Sequence, residues 1–229
     1  MSSEISYVDA GGIGEYTEKK SRFIGELRPV SSQEEAAAFL RETRKLHNDA
    51  RHHCMAWIIG ENGAVKHSSD DGEPSGTAGR PILSVLEGAN LTDAALIVTR
   101  YFGGVLLGTG GLVRAYTAAA KEALAASVII CPRPAYTGTL RSGYDKWPLI
   151  QALFRKEDAF FLETEYGADV TARIAVYEED LERIIKALNA VLKTDEPVTG
   201  LASCRLASGG GTLIIYSGQK ITRFPLTSQ

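Results

Sequence analysis

Three carboxylates crowd the stretch Ser68–Pro81, SSDDGEPSGTAGRP: Asp70, Asp71 and Glu73, followed by Ser75, Thr77 and Arg80. Grouped carboxylate oxygens suit a hard cation such as Mg²⁺, which is commonly shared with a phosphate. The same residue types also cap turns and helix N-termini without any ligand. Gly72, Gly76 and Gly79, with Pro74 and Pro81, rule out a regular helix or strand here, because glycine frees the backbone and proline fixes φ and removes a donor. A long polar loop of defined shape in a compact domain is more often functional than not, so the stretch is read as a site whose ligand is open.

A second stretch, Arg100–Gly111 (RYFGGVLLGTGG), offers different chemistry. Gly108, Thr109, Gly110 and Gly111 open onto a helical pattern, where free N–H groups and the helix dipole would receive an anion. Glycines there would equally serve close packing of helix on strand. No Lys-Ser/Thr follows, and the spacing is not GxGxxG, so neither common nucleotide-loop signature is present. Arg100 and Tyr101 stand where an apolar run ends. Arg100 is suited to phosphate or carboxylate, and the ring of Tyr101 or Phe102 to a nucleic-acid base, one of the two being expected in the core. Arg114, about one helical turn further on, would face the same anion.

Other chemistry finds less support. His52, Cys54 and His67 match no structural zinc spacing. Cys54 opens an apolar strand, where thiols are commonly buried and inert. Ser75 is not in a GxSxG elbow. No catalytic residue, resident metal or cofactor is assigned.

The elements that must position these loops follow from pattern. Strands are expected at Tyr16–Glu18 and Arg22–Val30. Ser32 and Glu35 have capping-box spacing at the head of a helix running to about His47. Cys54–Gly60 reads as a strand turning at Glu61-Asn62-Gly63 into Ala64–His67. Pro81 suits the first turn of a short helix Ile82–Glu87 that stops before Gly88. Ala94–Arg100 is a continuous apolar run suited to a strand buried on both faces. A helix over 110–127 should bury Leu112, Val113, Tyr116, Ala120 and Leu124, and Val128–Cys131 ends the half. After a boundary at Pro132–Tyr136 come strand 137–141, helix 146–155, strands 159–166 and 170–177, helix 179–193 and strand 197–206. That βαββαβ order matches the ferredoxin-like motif. Beyond it, Gly209–Gly211, LIIY, a Ser-Gly turn and ITRF suggest a terminal hairpin.

The 229 residues are comfortable for two domains, and the formal net charge is −3. Lys and Arg number 14 against 16 Asp and Glu in residues 1–135, and 11 against 12 in 136–229. Neither half carries the general positive field of a non-specific nucleic-acid binder, which leaves a local basic face. The three cysteines form no CxxC pair, the first residues show no secretory signal, and no apolar run approaches a membrane span, so a cytoplasmic protein with reduced thiols is expected.

Four motifs in this order carry a resemblance: KKSRFIGEL (19–27), DARHHCMAW (49–57), SSDDGEPSGTAGRPIL (68–83) and VTRYFGGVLLGTGGLVRAY (98–116). Together they resemble the IMPACT family in its YigZ-type bacterial branch. The resemblance implies an α+β protein of two domains. Residues 1–133 would form an N-terminal domain of the ribosomal-protein βαβ type and 138–206 a ferredoxin-like domain; residues 207–229 fall outside the family pattern and are read as a tail. This pair of folds also neighbours in elongation factor G, and eukaryotic members of the family are linked to control of translation initiation. The resemblance thus implies a non-enzymatic binding protein of the translation apparatus, with RNA or a ribosome-associated protein as partner. Its contacts would include the two glycine-rich loops with Arg80, Arg100, Tyr101 and Arg114. Two alternatives stand beside it: a Mg²⁺-dependent enzyme or sensor for a small phosphorylated ligand, and a protein–protein adaptor using an exposed sheet face of the ferredoxin-like domain.

Overall fold

Burial on both faces is what Ala94 to Val98 were expected to require, and all five residues are fully buried in the computed structural model, which describes residues 5–60, 63–209, 212–217 and 220–225. The chain falls into two compact units, Met1–Cys131 and Pro132–Gln229. In chain order the first holds β1 (Tyr7–Ala10), β2 (Gly12–Glu18), β3 (Ser21–Pro29), α1 (Gln33–Leu46), β4 (His52–Ile59), β5 (Val65–Ser69), α2 (Gly79–Gly88), β6 (Ala94–Tyr101), α3 (Thr109–Ala125) and β7 (Val128–Ile130). Five strands form one sheet in the order β2-β3-β6-β4-β5, and β1 pairs separately with β7. Strands β3 and β4 both run antiparallel to β6, which lies between them, so β3-α1-β4 is a split βαβ crossover.

Alternation along the strands gives the sheet two apolar faces. Leu96, Val98, Cys54, Ala56 and Phe23 meet Ile82 and Leu86 of α2 and Leu112, Tyr116 and Ala120 of α3. On the other face Ile97, Met55 and Trp57 meet Ala36 and Phe39 of α1. Helix α3 comes in close because β2 and β3 carry glycine beneath it: a Cβ on Gly14 would stand 2.3 Å from the Glu122 carbonyl carbon, and one on Gly25 2.4 Å from the Ala119 oxygen. The stripe that α3 buries is Leu112, Ala115, Tyr116, Ala119, Ala120 and Ala123. Val113, expected in that stripe, lies outside it and is exposed. Small residues, which carry little hydropathic signal, do most of the packing.

Helix boundaries moved for identifiable reasons. The Ser32 hydroxyl accepts from the Glu35 N–H as expected, but the Glu35 carboxylate reaches back to the Ser31 N–H rather than to Ser32. Helix α2 starts three residues before Ile82, because a side chain from upstream caps it, as described below. Glu61 and Asn62 of the expected turn lie outside the described residues, as do Gly210, Gly211 and Gly218.

The second unit holds β8 (Arg133–Ser142), α4 (Trp147–Lys156), β9 (Ala159–Tyr166), β10 (Val170–Tyr177), α5 (Glu178–Leu192), β11 (Val198–Gly209), β12 (Thr212–Ser217) and β13 (Lys220–Pro225). Its sheet order is β13-β12-β11-β8-β10-β9. The last four strands of that order are the ferredoxin-like arrangement. Helices α4 and α5 cover one face through Ile150, Phe154, Ile184 and Leu188. The opposite face carries a smaller apolar cluster of Ala135, Ala175, Tyr177 and Leu206, which Leu213 and Ile215 of β12 join. Ile215 stands opposite Leu206, so the terminal hairpin extends this apolar row along the sheet. Arg141 and Arg173 remain exposed on the same face. Ile215→Ala or Leu213→Ala should cost about 2–5 kcal/mol, as large-to-small changes in a packed core do. Urea unfolding of the whole chain followed by fluorescence checks this, and a loss within error of zero would mean that β12 does not share this core.

Candidate functional site

Four connections converge at one end of the first sheet. Strand pairing places Arg22 opposite Tyr101 and His52 opposite Arg100. The β2–β3 turn (19–20), the α1–β4 connection (47–51), the β5–α2 loop (70–78) and the β6–α3 loop (102–108) therefore lie together. Both sequence-predicted loops are among them.

The acidic loop is organised from within. Asp70 accepts from the N–H groups of Gly76, Ala78 and Gly79 at 2.8, 2.9 and 2.8 Å. It thus caps α2 from eight residues before the helix cap Ala78, supplying the acceptor that the helix start requires. Burial raises the Asp70 carboxyl pKa, but the three N–H donors outweigh it and hold the group below its ordinary value. Asp71, at φ 42°, accepts from Arg44 Nη2 at 2.6 Å and from the His53 N–H at 2.7 Å, tying the loop to α1 and β4. Its carbonyl meets His52 Nδ1 at 2.9 Å. Thr77 is buried and donates to the Pro74 carbonyl at 2.6 Å, while Ser75 is exposed.

Glu73 turns inward. Its Oε1 accepts from Arg100 Nη1 at 2.7 Å and from the Tyr116 hydroxyl at 2.8 Å, with the two charged side chains only 4% and 7% exposed. The Cys54 thiol lies 3.3 Å from the Tyr116 hydroxyl and donates to the Asp70 carbonyl at 3.0 Å. Burial pushes both the Cys54 thiol and the Tyr116 phenol well above their ordinary ranges, so neither is set up as a nucleophile.

This geometry corrects several expectations. Asp70, Asp71 and Glu73 do not converge on a common point; each is committed to different protein partners. Among the described residues no group of three His, Cys, Asp or Glu side chains could share a metal ion. Arg100, suited to phosphate or a carboxylate, takes the carboxylate of Glu73 as its buried partner. Tyr101 is held by His47 Nδ1 at 2.9 Å and Asp49 Oδ1 at 3.2 Å, so its hydroxyl is already engaged. His67 stacks on Trp57, on the face opposite His52 and Cys54, so these three cannot share zinc. Gly108 opens α3 at φ 73° with no side-chain cap, and Thr109 and Gly110 are exposed beside it; Gly111 is buried against Leu107. Arg80 and Arg114 are exposed.

Outward at this end, cations outnumber carboxylates, of which Asp49 is exposed. Lys19, Lys20, Arg51, Arg80 and Arg114 are exposed, and among the described residues none of the five has an ion-pair partner. Sequence reasoning gave no site role to Lys19, Lys20 and Arg51. The signal was present in the pair Lys19-Lys20 at a turn between two strands, where both residues take positive φ, 45° and 66°.

Comparison with known proteins agrees with this architecture. Residues 19–124 match the Impact N-terminal domain, and residues 140–192 match a domain of unknown function, DUF1949. The IMPACT family member YigZ of Escherichia coli is 41% identical over 160 residues, spanning 69% of this chain and 78% of that protein. The chain belongs to the IMPACT family. An IMPACT family member of Haemophilus influenzae is 39% identical over 168 residues, covering 72% of this chain and 81% of the relative. Among solved structures, the crystal structure of a hypothetical protein superimposes with a TM-score of 0.55 at 34% identity, covering 89% of this chain and 97% of that one. Among the described residues no helix is long and apolar enough to cross a membrane.

Two measurements test the inward network. Glu73→Gln strips the buried Arg100 of its counter-charge and should destabilise the protein by about 3–5 kcal/mol in urea unfolding. A loss below about 1 kcal/mol would mean that solvent reaches the pair. For Asp70 the folded pKa lies below the unfolded one. Its contribution is therefore complete above the ordinary value of 3.8 and is lost as pH falls from there through the lower folded pKa. Asp70→Asn should lower stability at neutral pH and flatten that part of the acid-side decline. An unchanged pH profile would exclude this role.

Proposed function

We propose that this IMPACT family protein is a non-enzymatic binding protein of the translation apparatus, acting in the cytoplasm, and that the loop end of its first domain meets RNA or a ribosome-associated partner. The observation that carries the reading is the division of charge at that end. Its carboxylates are turned to backbone, Arg44, Arg100 and tyrosine hydroxyls, while Lys19, Lys20, Arg51, Arg80 and Arg114 face solvent unpaired among the described residues. Net charge of −3 hides this, because acids elsewhere balance it. Exposed cations with no internal partner attract a polyanion and release its counterions on binding. The open start of α3, with Gly108, Thr109 and Gly110, adds N–H groups of the kind that receive a phosphate. Among the described residues the carboxylates do not gather into a group that could hold Mg²⁺, and the binding reading is preferred.

Fluorescence anisotropy with labelled RNA across a salt series checks the proposal. Affinity should fall steeply with salt, and replacing Lys19, Arg80 or Arg114 by alanine should each lower the slope of log K against log salt by about 0.7–1. If the wild-type chain binds neither RNA nor ribosomes at low salt, the reading is wrong.

A further inference from the structure

The loop between β6 and α3 carries apolar side chains into solvent: Phe102 is 52% exposed and Leu106 82%, with Val105 and Val113 beside them. Exposed apolar clusters rimmed by charge mark interaction surfaces. Here the rim is the group of unpaired cations, which selects an anionic occupant. From this juxtaposition we infer that the loop end takes single-stranded RNA rather than a duplex, with an unpaired base stacked on Phe102. The inference rests on the RNA reading above and narrows it.

The platform is pre-set. The Phe102 ring lies over the Arg100 guanidinium, with the ring centroid 5.4 Å from its central carbon. The guanidinium in turn is held by Glu73. The ring therefore rests on a rigid cation. Behind it the Gly103 N–H donates to Ser21 Oγ at 3.1 Å, and a Cβ on Gly103 would stand 2.1 Å from the Lys20 carbonyl carbon. Only glycine lets the loop lie against the β2–β3 turn, and that contact places Phe102 beside Lys19 and Lys20. Arg114 is exposed in the second turn of α3, near enough to Tyr16 of β2 to act on it electrostatically. A half-exposed phenyl at an end that carries unpaired cations provides the two features that single strands use: a π-face for a base and positive charge for the adjoining phosphates. A duplex hides its base faces and presents phosphates alone, leaving Phe102 and Leu106 without a counterpart.

Binding of a short oligouridylate and of a duplex RNA by the full chain tests this. Wild type should prefer the oligouridylate. Phe102→Ala should weaken that binding about tenfold to a hundredfold, the range of one lost base–aromatic stack, while leaving duplex binding and the salt slope unchanged. Phe102→Trp should retain affinity and show quenching on binding beyond that of the native Trp57 and Trp147. Leu106→Ser, at a side chain too exposed to support the fold, should also weaken the oligouridylate. If both Phe102→Ala and Leu106→Ser bind as wild type while Lys19, Lys20 and Arg114 substitutions still weaken RNA, stacking is overturned and the cation reading stands. If wild type binds no RNA at any salt, both fall. Sedimentation with phosphatidylglycerol vesicles in the absence of RNA binding would assign the apolar loop to a lipid surface and overturn the inference.

Discussion

One buried ion pair holds the loop end in shape. Glu73 and Arg100 meet with almost no solvent contact, and Tyr116 shares the same carboxylate oxygen. A charge pair in the interior is costly in desolvation and is retained stably only when its geometry and extra hydrogen bonds are good. Here it links elements that no apolar contact could join as selectively: the β5–α2 loop through Glu73, the end of β6 through Arg100, and α3 through Tyr116. Because Arg100 is fixed, Phe102 has a fixed seat. Because Glu73 is fixed, the loop from Asp70 can fold back over the start of α2. The polar network thus sets the register of two loops that contain little apolar side chain of their own.

The division of labour between acids and bases explains why bulk charge is a poor guide to this protein. A carboxylate that accepts from backbone N–H groups, as Asp70 does, has its field answered locally. So have Asp71 and Glu73. The lysines and arginines around them outnumber the exposed Asp49 and set the residual field at that end. A net charge of −3 spread over the whole chain therefore coexists with a positive face.

Much of the fold was legible from residue pattern. The capped start of α1, the apolar β6 and the βαββαβ order of the second unit all follow from periodicity and punctuation. The loops were recognised as special from glycine, proline and acid content, yet their wiring was not, because it depends on distant partners. Nothing local marks Glu73 as the partner of Arg100, twenty-seven positions away. Arg100 and Tyr101 had the right chemistry for a ligand; Arg100 was claimed by the interior, and Tyr101 by His47 and Asp49 at the rim. Phe102 and the Lys19-Lys20 turn occupy the surface. The packing of α3 was obscured for a different reason: alanine and glycine seat the helix closely while contributing little to an amphipathic pattern. The docking of the terminal hairpin was also hidden, since a hairpin's sequence does not state which sheet edge it will join.

The added hairpin has a consequence for the order of events during synthesis. The strands and helices of the ferredoxin-like arrangement all leave the ribosome before β12. Until β12 arrives, the outer edge of β11 from Arg205 to Gly209 is unpaired and Leu206 lacks its neighbour Ile215 on an otherwise assembled sheet. The nascent second domain thus passes through a stage in which it is adhesive, and the arrival of the hairpin ends that stage.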